Sequence, residues 1–118
     1  MKSYLFVLRK PAHSGAYVQE ILDSILTTAA FDQKVGILFL DDGVFQLKNG
    51  QHPESVGMKD TAAIFYALEI YDVNDIYAEV ESLQERGLKP GDLSLSVQAF
   101  YRKDIAGLIK RFDVVFAG

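Results

Sequence analysis

The chain has 118 residues, a formal net charge of −4 at pH 7 and no cysteine. The missing cysteine excludes disulfides, zinc–thiolate sites and thiol catalysis. The acidic balance disfavours direct contact with nucleic acid or with anionic membranes. No apolar run approaches the roughly 20 residues of a membrane span, so we expect a cytoplasmic protein in which residues 1–118 form a single domain.

The first half of the chain alternates buried strands with an amphipathic helix. Residues 4–8 and 35–40 are continuous apolar runs, typical of parallel strands that are covered on both faces. Between them, residues 17–30 repeat apolar side chains every three or four positions, which predicts a helix. After the second strand, Asp-Asp-Gly at 41–43 predicts a turn, and residues 48–53 read as a loop.

The second half continues the alternation with shorter elements. Helices are predicted at 60–71, 81–86 and 104–112, and Gly87 is expected to end the second of these. Strands are predicted at 75–80, 93–97 and 114–116. The order of elements predicts an α/β fold, a single-domain three-layer sandwich. Its mostly parallel five-stranded sheet would carry helices on both faces.

Three groups near predicted strand ends are candidate sites, because ligands bind at the carboxyl ends of strands in such sheets. Asp41 and Asp42 form a carboxylate pair that can hold Mg²⁺, although the favoured interpretation is that the Asp-Gly sequence supplies a turn. Residues 11–15 lack the glycine spacing of a phosphate-binding loop. His13 and His52 lack the helical spacing of a metal site. We predict no catalytic residue, metal or cofactor in this chain.

One stretch is more specific than these groups. Residues 39–47 read Phe-Leu-Asp-Asp-Gly-Val-Phe-Gln-Leu, and residues 50–53 read Gly-Gln-His-Pro. They strongly resemble the TusC or DsrF-like sulfur-relay subunits of the DsrE/DsrF family, which carry an apolar strand, Asp-Gly-Val-Phe-Gln-Leu and then Gly-Gln-x-Pro. The motif residues here are Asp42, Gly43, Val44, Phe45 and Gln46. Further matches lie at 11–15, before this motif, and at 68–72, 83–88 and 112–115, after it. They occur in the same order as in the family, so that the resemblance extends from Ser3 to Phe116.

The resemblance implies one DsrE/DsrF-like domain over residues 1–118 and a place in a hetero-oligomer. The partners it implies are TusB-like and TusD-like subunits in a dimer of heterotrimers. Such a complex passes persulfide sulfur from a TusA-like carrier to a TusE-like carrier, for 2-thiouridine formation at the tRNA wobble position. Related DsrE, DsrF and DsrH proteins serve sulfur oxidation, so the pathway stays open between the two.

The resemblance also gives the missing cysteine a meaning. In the TusD or DsrE partner, the sulfur-carrying cysteine lies eight residues before the glycine that ends the short helix, which corresponds to Glu79 here. A persulfide relay requires a thiolate that attacks, holds and releases sulfur. A carboxylate cannot do this, so we expect a non-catalytic subunit.

Two expectations complete the sequence-based interpretation. Phe45, Phe100 and Tyr101 are predicted as interface residues, because interface cores favour aromatic side chains; packing in the chain's own core is the alternative.

An independent ligand-binding module at Asp41 and Asp42 is the third hypothesis for function, beside tRNA thiolation and sulfur oxidation.

Overall fold

Five parallel strands form one sheet in the computed structural model, which describes residues 2–9, 16–31, 34–47, 73, 75–93 and 97–117. The strands are β1 (Ser3–Leu8), β2 (Lys34–Phe39), β3 (Asp75–Glu79), β4 (Gln98–Phe100) and β5 (Val114–Ala117). Their order across the sheet is β4-β3-β2-β1-β5, and each pair of neighbours among them is parallel.

Helical segments connect these strands. Among the described residues they are α1 (Ala16–Ala30), α2 (Val80–Glu85), α3 (Arg102–Ile109) and two 3₁₀ segments, Asp41–Leu47 and Pro90–Asp92. The helix predicted at 60–71 and the loops predicted at 11–15 and 48–53, with His13 and His52, lie outside the described residues.

The sheet separates two core clusters, because side chains alternate between its faces. In β1, Phe6 and Leu8 face the first cluster, whereas Leu5 and Val7 face the second. The first cluster also includes Ile25 of α1 and Leu83 of α2, and the second includes Ile105 and Leu108 of α3. Helices therefore cover both faces, and the predicted three-layer α/β sandwich with a five-stranded parallel sheet is confirmed.

The connections change face between β3 and β4. The helix that follows β3 is α2, whose Leu83 packs in the first cluster, and the helix that follows β4 is α3, whose Ile105 packs in the second. Neighbouring parallel strands whose following helices lie on opposite faces leave a crevice at their carboxyl ends, where ligands of α/β sheets bind. A functional site is therefore expected at the carboxyl ends of β3 and β4.

The strand β4 begins after the range predicted for the fourth strand. Alternating leucines and serines predicted a strand at 93–97, whereas the hydrogen-bonded register with β3 pairs Gln98, Ala99 and Phe100 with residues 77–79. Within the predicted range, Leu93 forms an isolated bridge, Val97 lies outside the strand, and residues 94–96 lie outside the described residues. The register is set by the neighbouring strand, and the alternation of side chains alone did not locate it.

Two further boundaries differ from the sequence-based prediction. The predicted turn after β2 is a 3₁₀ helix over Asp41–Leu47. The last helix begins at Arg102, two residues before the predicted Asp104, because the backbone N–H of Arg102 donates to Glu81 Oε1 at 2.8 Å and gives the helix an external cap.

Gly43 allows the 3₁₀ segment to pack against the end of β1. The backbone N–H of Leu40 donates to the Leu8 carbonyl oxygen at 3.0 Å, and the N–H of Gly43 donates to the Leu40 carbonyl oxygen at 2.9 Å. A Cβ atom at Gly43 would overlap the Leu8 carbonyl oxygen and lie 2.6 Å from its carbonyl carbon. The glycine of the Asp-Gly-Val-Phe motif is therefore required for packing.

Replacing Gly43 by alanine should destabilise the fold by about 3 kcal/mol, because the atoms it would strike are rigid backbone. Gly107 in α3 is the matched control, since a Cβ there meets nothing within 4 Å. Gly107→Ala should stabilise by up to about 1 kcal/mol through helix propensity. Urea denaturation followed by circular dichroism measures both, and equal effects would contradict the packing assigned to Gly43.

Candidate functional site

Glu79 is the last residue of β3 and lies at the crevice between the ends of β3 and β4. Ala78 faces the first core cluster and Tyr77 the second, so the alternation directs Glu79 toward the face that carries α3. Only 5% of Glu79 is exposed to solvent. A buried carboxylate is costly unless donors compensate for the water it has lost.

Three donors converge on one oxygen of Glu79. The Ser82 hydroxyl donates to Oε1 at 2.6 Å, and the Arg102 guanidinium donates through Nε at 3.1 Å and through Nη2 at 2.9 Å. Hydrogen bonds between charged groups of this kind are stronger than neutral ones. Ser82 belongs to α2 and Arg102 begins α3, so the carboxylate ties together two helices on opposite faces of the sheet.

The network continues to the end of β2. The backbone N–H of Asp41 donates to Ser82 Oγ at 2.9 Å, so this hydroxyl accepts from Asp41 while it donates to Glu79. Asp41 has a φ of 50°, in the left-handed region, which aspartate tolerates better than most residues. The chain thus turns sharply out of β2 at a point fixed by Ser82.

The first turn of α3 is held by acidic side chains of α2. Arg102 Nη2 also donates to Glu85 Oε1 at 3.0 Å, and the backbone N–H of Arg102 donates to Glu81. The guanidinium is therefore shared between buried Glu79 and exposed Glu85. These contacts raise the pKa of Arg102 further above its ordinary value, chiefly through the hydrogen bond to Glu79.

A second arginine joins two of the motifs identified in the sequence. Arg86 Nε donates to Asp42 Oδ1 at 3.0 Å, and Arg86 Nη1 donates to the Ser82 carbonyl oxygen at 3.2 Å. The following Gly87 has a φ of +69° and ends α2, and the N–H of Leu88 reaches back to the Leu83 carbonyl oxygen at 2.9 Å. This is a Schellman motif. Residues 83–88, one of the stretches that carry the family resemblance, therefore form a helix end.

The pKa of Glu79 is lowered by its surroundings. Burial, the largest single influence, raises the pKa of this carboxyl group, but the hydrogen bonds from Arg102 and Ser82 and the charges of Arg102 and Arg86 together outweigh it. Glu79 is therefore ionised in the folded protein at neutral pH. It is an acceptor whose oxygen is already engaged, and it is not poised to act as a general acid.

The remaining predicted residues lie in different environments. Among the motif residues, Val44 is fully buried and Phe45 packs against the first core cluster; the Gln46 side chain lies outside the described atoms. Phe100 packs against the second cluster, with its ring 5.5 Å from that of Tyr77, measured between centroids. Tyr101 is 56% exposed. Whether Phe45, Phe100 and Tyr101 meet a partner stays a prediction.

Sequence reasoning missed Arg102, Ser82 and Arg86. Arg102 lies 23 residues from Glu79 in the chain and meets it only because β4 pairs beside β3. Ser82 had a local signal, since it lies three residues after Glu79, in the first turn of the helix that Glu79 directly precedes. Arg102 had no such signal, since the strand predicted before it ended at residue 97, whereas β4 ends at Phe100.

Over the described ranges, no group of three or more His, Asp or Glu side chains is placed to hold a metal ion. Asp42, one of the two carboxylates weighed as a Mg²⁺ pair in the sequence, is engaged by Arg86. None of the helices in this part of the chain is long and apolar enough to cross a membrane.

The fold and the site define a three-layer α/β protein whose switch-point crevice holds an internal ion pair. A model of the DsrE/DsrF-like family matches residues 2–117. Because the match covers nearly the whole chain, the chain belongs to the DsrE/DsrF-like family, as the sequence motifs predicted.

Individual relatives agree with this placement. The chain is 42% identical over 114 residues to a protein named TusC homolog from Pseudomonas aeruginosa, covering 97% of this chain and 96% of the relative. It is 42% identical over 93 residues to the intracellular sulfur oxidation protein DsrF of Allochromatium vinosum, covering 79% and 68% of the two chains. A TusC homolog from Vibrio vulnificus is 31% identical over 92% of each chain.

Solved structures show the same fold. The ychN protein of E. coli superposes with a TM-score of 0.83 at 15% identity, and a protein of unknown function from Methanobacterium thermoautotrophicum with 0.73 at 14%. Both comparisons cover 100% of each chain. At these identities the likeness concerns the fold alone.

The lowered pKa of Glu79 predicts how stability depends on pH. Its folded-state pKa lies below the ordinary 4.5 of the unfolded chain, so its stabilising contribution is complete above about pH 4.5 and is lost as the pH falls through the folded-state value. The stability difference between the wild type and Glu79→Gln should therefore stay constant from neutral pH to about pH 5 and shrink below about pH 4.

Urea denaturation at a series of pH values checks this, with Glu20→Gln as the matched control. Glu20 is an exposed glutamate of α1, a helix that supplies none of the hydrogen bonds given for Glu79. The charge assigned to Glu79 would be contradicted if the stability difference between the wild type and Glu79→Gln grew below pH 4. It would also be contradicted if Glu20→Gln showed the same dependence of stability on pH.

Proposed function

We propose that the chain is a non-catalytic subunit of a hetero-oligomeric sulfur-relay complex. Its partners are TusB-like and TusD-like subunits in a dimer of heterotrimers, with TusA-like and TusE-like carriers acting through the complex. The product supported by this relay is 2-thiouridine at the tRNA wobble position. The subunit completes the assembly and shapes the partner's site while the sulfur travels on another chain.

The observation that carries the proposal is the state of Glu79. The resemblance aligns this residue with the sulfur-carrying cysteine of a TusD-like subunit, and it lies at the crevice where α/β sheets bind ligands. It is a buried carboxylate that accepts hydrogen bonds from Ser82 and Arg102. Persulfide chemistry needs a sulfur nucleophile, and the sequence contains no cysteine.

The names of the relatives support a sulfur-handling role. Two of them are named TusC homologs, and one of these covers 97% of this chain. The tRNA product and the architecture of the complex come from the family resemblance, and the proposal extends them to this chain.

A role in sulfur oxidation is the second candidate. The relative from Allochromatium vinosum is named an intracellular sulfur oxidation protein and is as similar, at 42% identity, as the first TusC homolog. Deleting the gene and measuring 2-thiouridine in digested tRNA by mass spectrometry separates the two. Loss of 2-thiouridine supports the tRNA pathway, and an unchanged level favours sulfur oxidation.

The third hypothesis, an independent ligand-binding module at Asp41 and Asp42, has less support. Asp42 is engaged by Arg86 at 3.0 Å, and the backbone of Asp41 is fixed by Ser82 at 2.9 Å. Calorimetric titration of the chain with Mg²⁺ tests it directly.

Sulfur transfer through the assembled complex should survive Glu79→Gln, because the carboxylate does not carry sulfur. We expect a transfer rate within about twofold of the wild type, since the amide keeps its acceptor oxygen. Single-turnover transfer of labelled persulfide from the TusA-like to the TusE-like carrier measures this rate. The matched control replaces the cysteine of the TusD-like subunit by serine and should abolish transfer.

Size-exclusion chromatography of each complex separates assembly from chemistry. Loss of transfer by a fully assembled Glu79→Gln complex would show that Glu79 acts directly and would overturn the non-catalytic assignment. Failure of the wild-type chain to co-elute with a cysteine-bearing paralogue would overturn the subunit assignment itself.

A further inference from the structure

The donors that surround Glu79 are held in place by contacts of their own. Ser82 is fully buried, and its Oγ accepts from the backbone N–H of Asp41 at 2.9 Å. Arg102 Nη2 donates to Glu85 Oε1 at 3.0 Å as well as to Glu79 Oε1 at 2.9 Å. The positions of the serine hydroxyl and of the guanidinium therefore do not depend on the Glu79 side chain alone.

The charges at this point together favour an anion. Burial, the largest influence, raises the pKa of Glu79, but hydrogen bonds from Arg102 and Ser82 and the charges of Arg102 and Arg86 lower it by more. The other charged residues that border this edge are Asp41, Asp42, Glu81, Glu85, Lys103 and Asp104. Glu79 is ionised in their presence, so the field at its carboxyl group favours negative charge.

The carboxyl group of Glu79 lies close to solvent although it is buried. Its Oε1 accepts directly from the guanidinium of Arg102, whose side chain is 54% exposed. Truncating the side chain at residue 79 would leave a space lined by the Ser82 hydroxyl and this guanidinium. Donors without an acceptor are costly in such a space, so an anion that fills it would be bound.

We propose that the Ser82 hydroxyl and the Arg102 guanidinium form an anion-binding site, called the residue-79 site, that persists without the Glu79 side chain. Its ligand is a small monoanion whose charged atoms lie where the carboxyl group of Glu79 lies. In the wild type the chain's own carboxylate fills the site and keeps other anions out.

Formate is the free anion that fits this description. Glu79→Ala removes the carboxyl group together with one methylene group, and formate supplies a carboxylate of the same size. One of its oxygens can accept from Ser82 and Arg102 as Oε1 does now.

A cysteine persulfide is the sulfur anion of the same length. The carboxyl carbon of glutamate is the second atom beyond Cβ, and the outer sulfur of a persulfide is also the second atom beyond Cβ. On a cysteine at position 79, the charged outer sulfur would therefore meet Ser82 and Arg102 as donors. The choice of sulfur rests on the proposed function, whereas the site itself rests on the geometry of the donors.

Urea denaturation of Glu79→Ala with added formate tests the site. Sodium formate at ten times its dissociation constant should raise the folded-to-unfolded ratio about tenfold over equal sodium chloride, and the effect should saturate. A largely unfolded variant should regain structure in the same way. The wild type should not respond, and neither should Glu79→Ala combined with Arg102→Met. Glu85→Ala is the matched control, because Glu85 shares the same guanidinium but is 57% exposed.

Glu79→Cys tests the sulfur ligand, because its thiol is the only one in the chain. Its thiolate attacks the outer sulfur of glutathione persulfide, a new S–S bond forms, the S–S bond of the donor breaks, and glutathione leaves as the thiolate. Intact-mass spectrometry should show one added sulfur atom. Its half-life in dilute glutathione should be about tenfold longer than on Glu20→Cys, because charged hydrogen bonds stabilise the outer sulfur. Adding Arg102→Met should remove this difference.

Both measurements use the purified chain, so they can fail while the tests of assembly and sulfur transfer succeed, and the reverse. Formate that acts no differently from chloride, or that stabilises Glu85→Ala equally, would overturn the proposal. A persulfide on Glu79→Cys that does not form, or that is lost as fast as on Glu20→Cys, would overturn it as well.

Discussion

The hydrogen bonds from Ser82 and Arg102 to Oε1 of Glu79 hold the carboxyl edge of this sheet together. A carboxylate that is 5% exposed cannot be left without donors, because the lost hydration of a charge is costly. The donors come from α2 and α3, which lie on opposite faces of the sheet. The backbone of Asp41 joins through the same serine hydroxyl. The ends of β2, β3 and β4 are therefore fixed relative to one another by one buried charge.

This arrangement has a functional meaning because of where it lies. The crevice at the ends of β3 and β4 is the position that doubly wound sheets use for ligands, and here an internal ion pair occupies it. The chain belongs to the DsrE/DsrF-like family, and we propose that Glu79 stands at the position of a partner's sulfur-carrying cysteine. In the proposed complex, the carboxylate keeps the local structure that a site of this kind requires, while the chemistry takes place on a partner chain.

The sequence predicted much of the fold and little of the site. Apolar runs located β1 and β2 to within a residue. A strand that is buried on both faces is apolar at every position, so the ends of the run mark the ends of the strand. The residues of β4, Gln98–Phe100, follow the range predicted for the fourth strand, since they are defined by pairing with β3. Glu79 was identified only through the family resemblance. Arg102 was missed, because its contact with Glu79 joins residues far apart in sequence.

An NMR titration of the Glu79 side-chain carboxyl carbon in the folded wild type and in Arg102→Met tests the ion pair most directly. The wild-type pKa should lie below the ordinary value of 4.5, and removing the guanidinium should raise it, because burial then acts with less compensation. A wild-type pKa at or above 4.5, or one that Arg102→Met leaves unchanged, would contradict the ion pair on which the structure of this site depends.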